Sequence, residues 1–376
     1  MKKLLPILLF CVLFTTTAAA QDKSEILYQE QFEGSGAGEL ENSLPDETKE
    51  FLFEMGMDPE NPESLTDIGI GTFFTKLWET AKEQMAAPFK AMLALFGVIL
   101  LVALTEGIGE TGLQKPLQGA TGYAATLAAA VIVILPLCST IFKTAQAVKL
   151  SAGFMLALVP VLAGILVAAG RVGSSAAFSA SLYGVSQIVS QTLAGLVTPF
   201  VGMYLALCAA GGVSGGLKLR GVTDTIKKVV VWTLGISMTV FVGVLTLQST
   251  IGAAGDSVGI RTAKFFAGSF VPVVGSALGD ALGSVQSCLG LLQSSVGVYA
   301  VIALAGLFLP VLLEILLWML ALHLCCAAGE LFALDQVTAM LRSIASALSI
   351  MLAVVLSCGC LFIISTAIVV KAGGSV

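Results

Sequence analysis

Seven apolar runs dominate this chain: Leu93–Leu104, Tyr123–Leu137, Phe154–Ala169, Leu193–Ala210, Val229–Leu247, Val296–Leu322 and Ser349–Val370. They are almost free of charge, and with their flanks most reach the length of a membrane crossing. A bilayer core of about 30 Å needs about 20 apolar residues in a helix rising 1.5 Å per residue. Hydrophobic residues make up 57% of the 376 positions and charged residues 11%, too few to solvate a water-soluble domain of this size. The mean hydropathy of +0.96 agrees. The expected fold class is all-α, a polytopic membrane helical bundle.

Charge divides the chain. Between Gln21 and Met85 lie 16 of the 24 acidic residues against 4 lysines, whereas Ala86–Val376 holds 8 acids and 13 lysines or arginines. An acidic, wet segment therefore precedes a mildly basic membrane body, and no basic, aromatic-rich surface suggests nucleic acid. Residues 1–20 read as a signal peptide: Lys2 and Lys3, an apolar core Leu4–Phe14, and a small-residue cleavage site at Ala18-Ala19-Ala20. An uncleaved anchor is the other reading, and both place Gln21–Met85 outside the cytoplasm. Seven of the eight cysteines fall in or beside apolar runs, with no Cys-x-x-Cys pair and a single histidine. They read as small buried hydrophobes, and no metal or other cofactor is expected.

Residues 21–85 form an acidic extracytoplasmic segment. Gln21–Gly38 lacks periodicity and is expected to be disordered. A short helix follows, with Ser43 as its cap, Asp46 and Glu47 in the first turn, and Gly56 as its stop. Its apolar face, Phe51, Leu52 and Met55, must dock on something, because so short a helix is not stable alone. Phe73–Met85 reads as an amphipathic helix at the membrane surface, with Trp78 at headgroup level. Residues 86–142 supply the first two transmembrane helices.

The rest reads as an internal duplication, with units 143–255 and 258–371. Val159-Pro160-Val161 recurs as Val271-Pro272-Val273, and Cys208-Ala-Ala-Gly211 as Cys326-Ala-Ala-Gly329. Between them, Ser181-x-x-Gly184-x-x-Gln187 matches Ser287-x-x-Gly290-x-x-Gln293, and Ala194-Gly195-Leu196-x-x-Pro199 matches Ala305-Gly306-Leu307-x-x-Pro310. The four landmarks keep their order at offsets of 112, 106, 111 and 118.

Proline removes a backbone donor and crowds the preceding turn, and Gly164 and Gly275 follow closely. Two such breaks at matching places point to a transport path made by Pro160, Gly164, Pro272 and Gly275, or to ordinary kinks in packed helices. Topology favours breaks. The strongest cytoplasmic signal is Lys218, Arg220, Lys227 and Lys228, and it falls inside only if Gly153–Ala169 is a re-entrant hairpin turning at Pro160. Treating Gly268–Gly283 alike gives six crossings, two re-entrant segments and an external C-terminus. Lys143, Lys149, Arg261 and Lys264 then remain outside, against the rule.

From Ile260 the chain reads Ile-Arg-Thr-Ala-Lys-Phe-Phe-Ala-Gly-Ser-Phe-Val-Pro-Val-Val-Gly, then Asp280-Ala281. This string resembles the characteristic stretch of the stage III sporulation protein AE family. The signal peptide, the Leu44-Pro45-Asp46-Glu47-Thr48-Lys49 opening and the apolar C-terminal third agree with it. The resemblance implies a permease-like component of the channel complex joining mother cell and forespore, in the mother-cell-derived outer forespore membrane. It implies as partners the other stage III A sporulation proteins, including a cytoplasmic ATPase, and forespore protein Q. A stand-alone secondary transporter for a small solute is the alternative. The family supplies no catalytic residues, and the chain shows no phosphate-binding loop, nucleophile–base arrangement or paired carboxylates in a cleft, so no enzyme is expected.

Arg261 and Lys264, three apart on one helical face, suit lipid phosphates, a partner's carboxylates or a pore mouth, or else plain interfacial anchoring. Asp280 is a candidate partner for one of them. Glu314, inside Phe308–Leu322, must face a polar cavity, pair with a cation or be protonated. His323, the single histidine, either forms a proton relay with Glu314 or sits at the interface.

Overall fold

The computed structural model describes residues 26–58, 60–61, 70–109, 115–189, 198–213, 220–270 and 275–374. All regular structure among them is helical. Residues 26–35 form α1, and a 3-10 segment, Ala37–Ser43, leads to α2, Asp46–Glu54. The long helices are α3 (Ile70–Gly109), α4 (Lys115–Ala168), α7 (Arg220–Phe270), α8 (Gly275–Leu331) and α9 (Asp335–Gly374), with the shorter α5 (Val172–Val189) and α6 (Thr198–Val213) between α4 and α7. Each of the five long helices contains a stretch long and apolar enough to cross a membrane. At 1.5 Å per residue they run about 60–85 Å, twice a bilayer core, so each extends well beyond one crossing.

Printed contacts fix how these rods run. Gly329 of α8 abuts Thr338 of α9, and 32 residues further back along α8, Gly297 abuts Val370, so α8 and α9 are antiparallel. Thr140 meets Glu314, and Gly122 meets Gln336 near the α8–α9 turn, which sets α4 antiparallel to α8. Met92 lies level with Cys325, and Val102 with Leu334, so α3 runs parallel to α8. On α7, Lys227 reaches Ser346 near the start of α9, while Asp256 reaches the α4–α5 turn at the far end. That sets α7 parallel to α4 and α9.

The hairpin expected over Gly153–Ala169, turning at Pro160, is not seen. Helix α4 passes through Pro160 without a break, and the chain reverses ten residues later. Gly170 takes φ +77°, with Gly170 N–H bonded to Val167 O and Arg171 N–H to Leu166 O, the left-handed helix stop that favours glycine. Ser175 Oγ then donates to Ala163 O, zipping α5 back along α4. The reason lies in packing. Phe154, Met155, Leu158, Val161, Leu162, Ile165 and Leu166 form a buried stripe at helical spacing across the proline, whose own ring is exposed. Bending there would open the whole stripe, against about 3 kcal/mol for the interior proline. The matching Val271-Pro272-Val273 lies outside the described residues, between the end of α7 and the start of α8.

Two further expectations need correction. Residues 26–35, expected to be disordered, are helical because Tyr28 and Phe32 stack one turn apart and both are buried. Phe73–Met85 is no separate surface helix: it is the opening of α3, which continues through Pro88 along the buried Ala91, Leu95, Ile99 and Val102. The short helix α2 does dock, and on this chain. Phe51 and Leu52 are buried, and Phe51 lies so close to Gly306 of α8 that a Cβ there would sit 2.8 Å from its ring. Gly56 stops α2 at φ +71°, as its position in the sequence implied. Ser43 does not cap it; its hydroxyl closes the preceding turn on Leu40 O. The expected signal peptide, residues 1–20, lies outside the described residues.

Candidate functional site

Inside a membrane bundle an ionised side chain survives only with a partner or water, so the buried charges mark where sequence paid for something other than packing. Helix α8 carries Glu314 one turn beyond Pro310, on a face that also buries Val311, Ile315 and Trp318. Its side chain is 6% exposed, and Lys143 of α4 lies 3.0 Å from Oε2. Thr140 Oγ1 donates to Oε1 at 2.7 Å from one turn earlier on α4. Both carboxylate oxygens are thereby engaged, one by an ammonium and one by a hydroxyl. The arrangement is lopsided: the Lys143 side chain is 51% exposed, so its ammonium keeps access to the surroundings while the carboxylate does not.

In this structure the Glu314 carboxylate is paired with a cation. The same pair engages Lys143, a charge that the sequence-based topology was expected to leave outside. His323 is not its relay partner: Nδ1 is 2.6 Å from Met319 O, so this exposed ring is tied to its own helix. Sequence reasoning named Glu314 but missed Lys143 and Thr140. The available signal was two isolated opposite charges in apolar runs, each needing a partner.

Of the other expected positions, the described Pro160 and Gly164 do not converge on this pair. Pro160 and Gly164 are exposed on the outer side of α4. Gly275 opens α8, Arg261 and Lys264 lie on α7, and Asp280 lies on α8; the side chains of these charged residues, and Pro272 altogether, lie outside the described residues.

A second buried carboxylate went unnoticed in the sequence. Asp256 of α7 accepts from Gly173 N–H at 2.8 Å and Ser174 N–H at 2.9 Å, closing the orphan donors of the first turn of α5. Gly252 presses against the Ser174 backbone beneath it, where a Cβ would lie 3.0 Å from Ser174 Cα. Asp256→Ala strands one buried and one part-buried amide and is expected to cost about 2 kcal/mol, with Asp256→Asn costing less because one acceptor remains. Thermal unfolding of the two variants in detergent tests the order, and equal loss would refute it.

The acidic segment lies on α8, with Phe51 and Thr48 against Gly306. Burial holds the Tyr28 phenol above its usual range, offset in part by a hydrogen bond with Ser295. Lys76 of α3 pairs with Glu54 at the end of α2, and the outward side leaves Phe53 84% exposed among acidic neighbours.

A family model described as stage III sporulation protein AE matches residues 63–373. A curated relative from Bacillus subtilis (strain 168), "Stage III sporulation protein AE", is 26% identical over 196 residues, 51% of this chain and 49% of the relative. The chain thus spans about half the length of that relative. No solved structure matches.

Proposed function

The chain belongs to the stage III sporulation protein AE family, a membrane protein family of sporulation, and we propose that it is a multi-pass component of the channel complex between mother cell and forespore. It contributes a permease-like pore or platform there, in the mother-cell-derived outer forespore membrane. Its partners are the other stage III A sporulation proteins, with their cytoplasmic ATPase supplying energy, and forespore protein Q. The family match carries this reading.

The helix directions support a six-crossing topology. With the acidic segment outside, α3 enters, α4 leaves, α5 and α6 together return, α7 leaves, α8 enters and α9 leaves. Lys227, Lys228 and Arg342 then share the cytoplasmic side. The repeat is part of the same proposal: Cys208-Ala-Ala-Gly211 and Cys326-Ala-Ala-Gly329 each end two residues before a helix terminus, Val213 in α6 and Leu331 in α8. Arg261, Lys264 and Asp280 remain proposed contacts with partners or lipid at the α7–α8 junction, beside Pro272 and Gly275.

Reporter fusions at Gly170 and Ala333 test the topology: the first is expected to be external and the second cytoplasmic. A cytoplasmic signal at Gly170 defeats it. For the function, the full chain is purified from sporulating cells and placed in liposomes. Co-purification of the channel partners without solute uptake is the expected result. Uptake by the chain alone favours the alternative, a stand-alone secondary transporter.

A further inference from the structure

Away from the Glu314 pair, polar side chains line a groove between α8 and α9 of about 410 Å³. Its walls are periodic. Helix α8 contributes His323 and Glu330, seven residues apart, and the antiparallel α9 contributes Ser349, Ser346 and Arg342. Two helical turns therefore face two helical turns over roughly 10 Å. The Arg342 guanidinium pairs with Glu330 at one end. This contact engages one of its nitrogens, and a planar fork with five N–H donors has capacity for a further oxyanion. From α7, Lys227 Nζ donates to Ser346 Oγ at 3.1 Å, which brings a second cation beside one of the groove's lining residues.

The surroundings of the groove are those of a lipid interface. On α8, Leu316, Leu320 and Leu324 are exposed beside His323. On α7, Trp232 is among the most exposed large side chains and follows Lys227 and Lys228 by about one turn, the pairing of aromatic and basic residues found at headgroup level. Cations and hydroxyls thus converge where apolar helix faces meet the polar zone. A groove of this chemistry between membrane helices suits a phosphodiester with acyl chains on the neighbouring leucines.

We infer that the α8–α9 groove binds the phosphate of an anionic glycerophospholipid, with Arg342 and Lys227 as its cationic contacts and Ser346 as a hydroxyl donor, the Ser349 hydroxyl being held by Ala345 O. Glu330 holds the guanidinium in place and competes with the lipid for it.

Native mass spectrometry of the full chain, released from micelles doped with phosphatidylglycerol or phosphatidylcholine, reads the bound lipid directly. Wild type is expected to retain phosphatidylglycerol over phosphatidylcholine. Arg342→Gln with Lys227→Gln is expected to lower that retention roughly thirtyfold, the scale of two basic contacts. Glu330→Gln is expected to raise it, a direction that general damage to the bundle does not produce. Equal retention of the two lipids, unchanged retention in the double variant, or a fall with Glu330→Gln each overturns the inference. Inorganic phosphate is the remaining arm. If it displaces the lipid at equal concentration, the groove is a soluble-phosphate site and the lipid assignment fails.

Discussion

Lys143→Ala is expected to destabilise the protein by about 3 kcal/mol, and Glu314→Gln by about 1 kcal/mol, although the two residues form one ion pair. The asymmetry follows from burial. Removing the lysine leaves a buried carboxylate with only the Thr140 hydroxyl for company, and an unpaired buried charge is among the costliest defects a fold can carry. Removing the negative charge leaves an ammonium that is half exposed and needs no rescue. Glutamine also keeps an acceptor for Thr140. Unfolding of each variant in the same detergent decides the matter, and equal losses would show that burial does not govern the pair.

The double variant Lys143→Met with Glu314→Leu separates architecture from activity. Apolar replacement of a complete buried pair is often close to neutral for stability. A variant that folds like wild type and still supports sporulation would make the pair a packing device. One that folds normally and fails in sporulation would show that the charges serve transport or assembly.

Gly306→Leu is expected to release the acidic segment from the bundle. No side chain fits at that point, since even a Cβ would meet Phe51 at 2.8 Å and Thr48 at 3.3 Å. Helix α2 has nine residues and owes its order to this contact, so lifting Phe51 and Leu52 off α8 removes what keeps it folded. Tryptic cleavage after Lys49 reports the change, and a rise of roughly a hundredfold is expected from losing about 3 kcal/mol of local stability. Cleavage at the wild-type rate would mean that α2 is held by something other than its seat on Gly306. The Lys76–Glu54 pair is the obvious candidate for that role, and Lys76→Ala in the same assay measures it.

Much of the site was legible in part. Glu314 stood out because an ionisable group in an apolar run is always conspicuous. Its partner was not, because Lys143 lies 171 positions away and nothing local ties the two. Asp256 was overlooked for the same reason: its significance is the first turn of α5, more than eighty residues upstream. The acidic segment was underestimated because Tyr28 and Phe32 gain their order from the surface they cover, and that surface belongs to another part of the chain.

Run length and composition determined the class of this protein on their own. Helix formation in an apolar medium is a local necessity, since every backbone group must find its partner within the same segment. The stops at Gly56 and Gly170 differ in how they could be known. Gly56 ends a short helix whose polar flanks show in the sequence, whereas Gly170 acts only because α4 survives Pro160. That survival depends on a stripe of side chains meeting neighbouring helices, and a proline's local cost is overruled when packing on both sides of it is continuous. Where the chain turns, and which charges meet, were therefore decided in three dimensions.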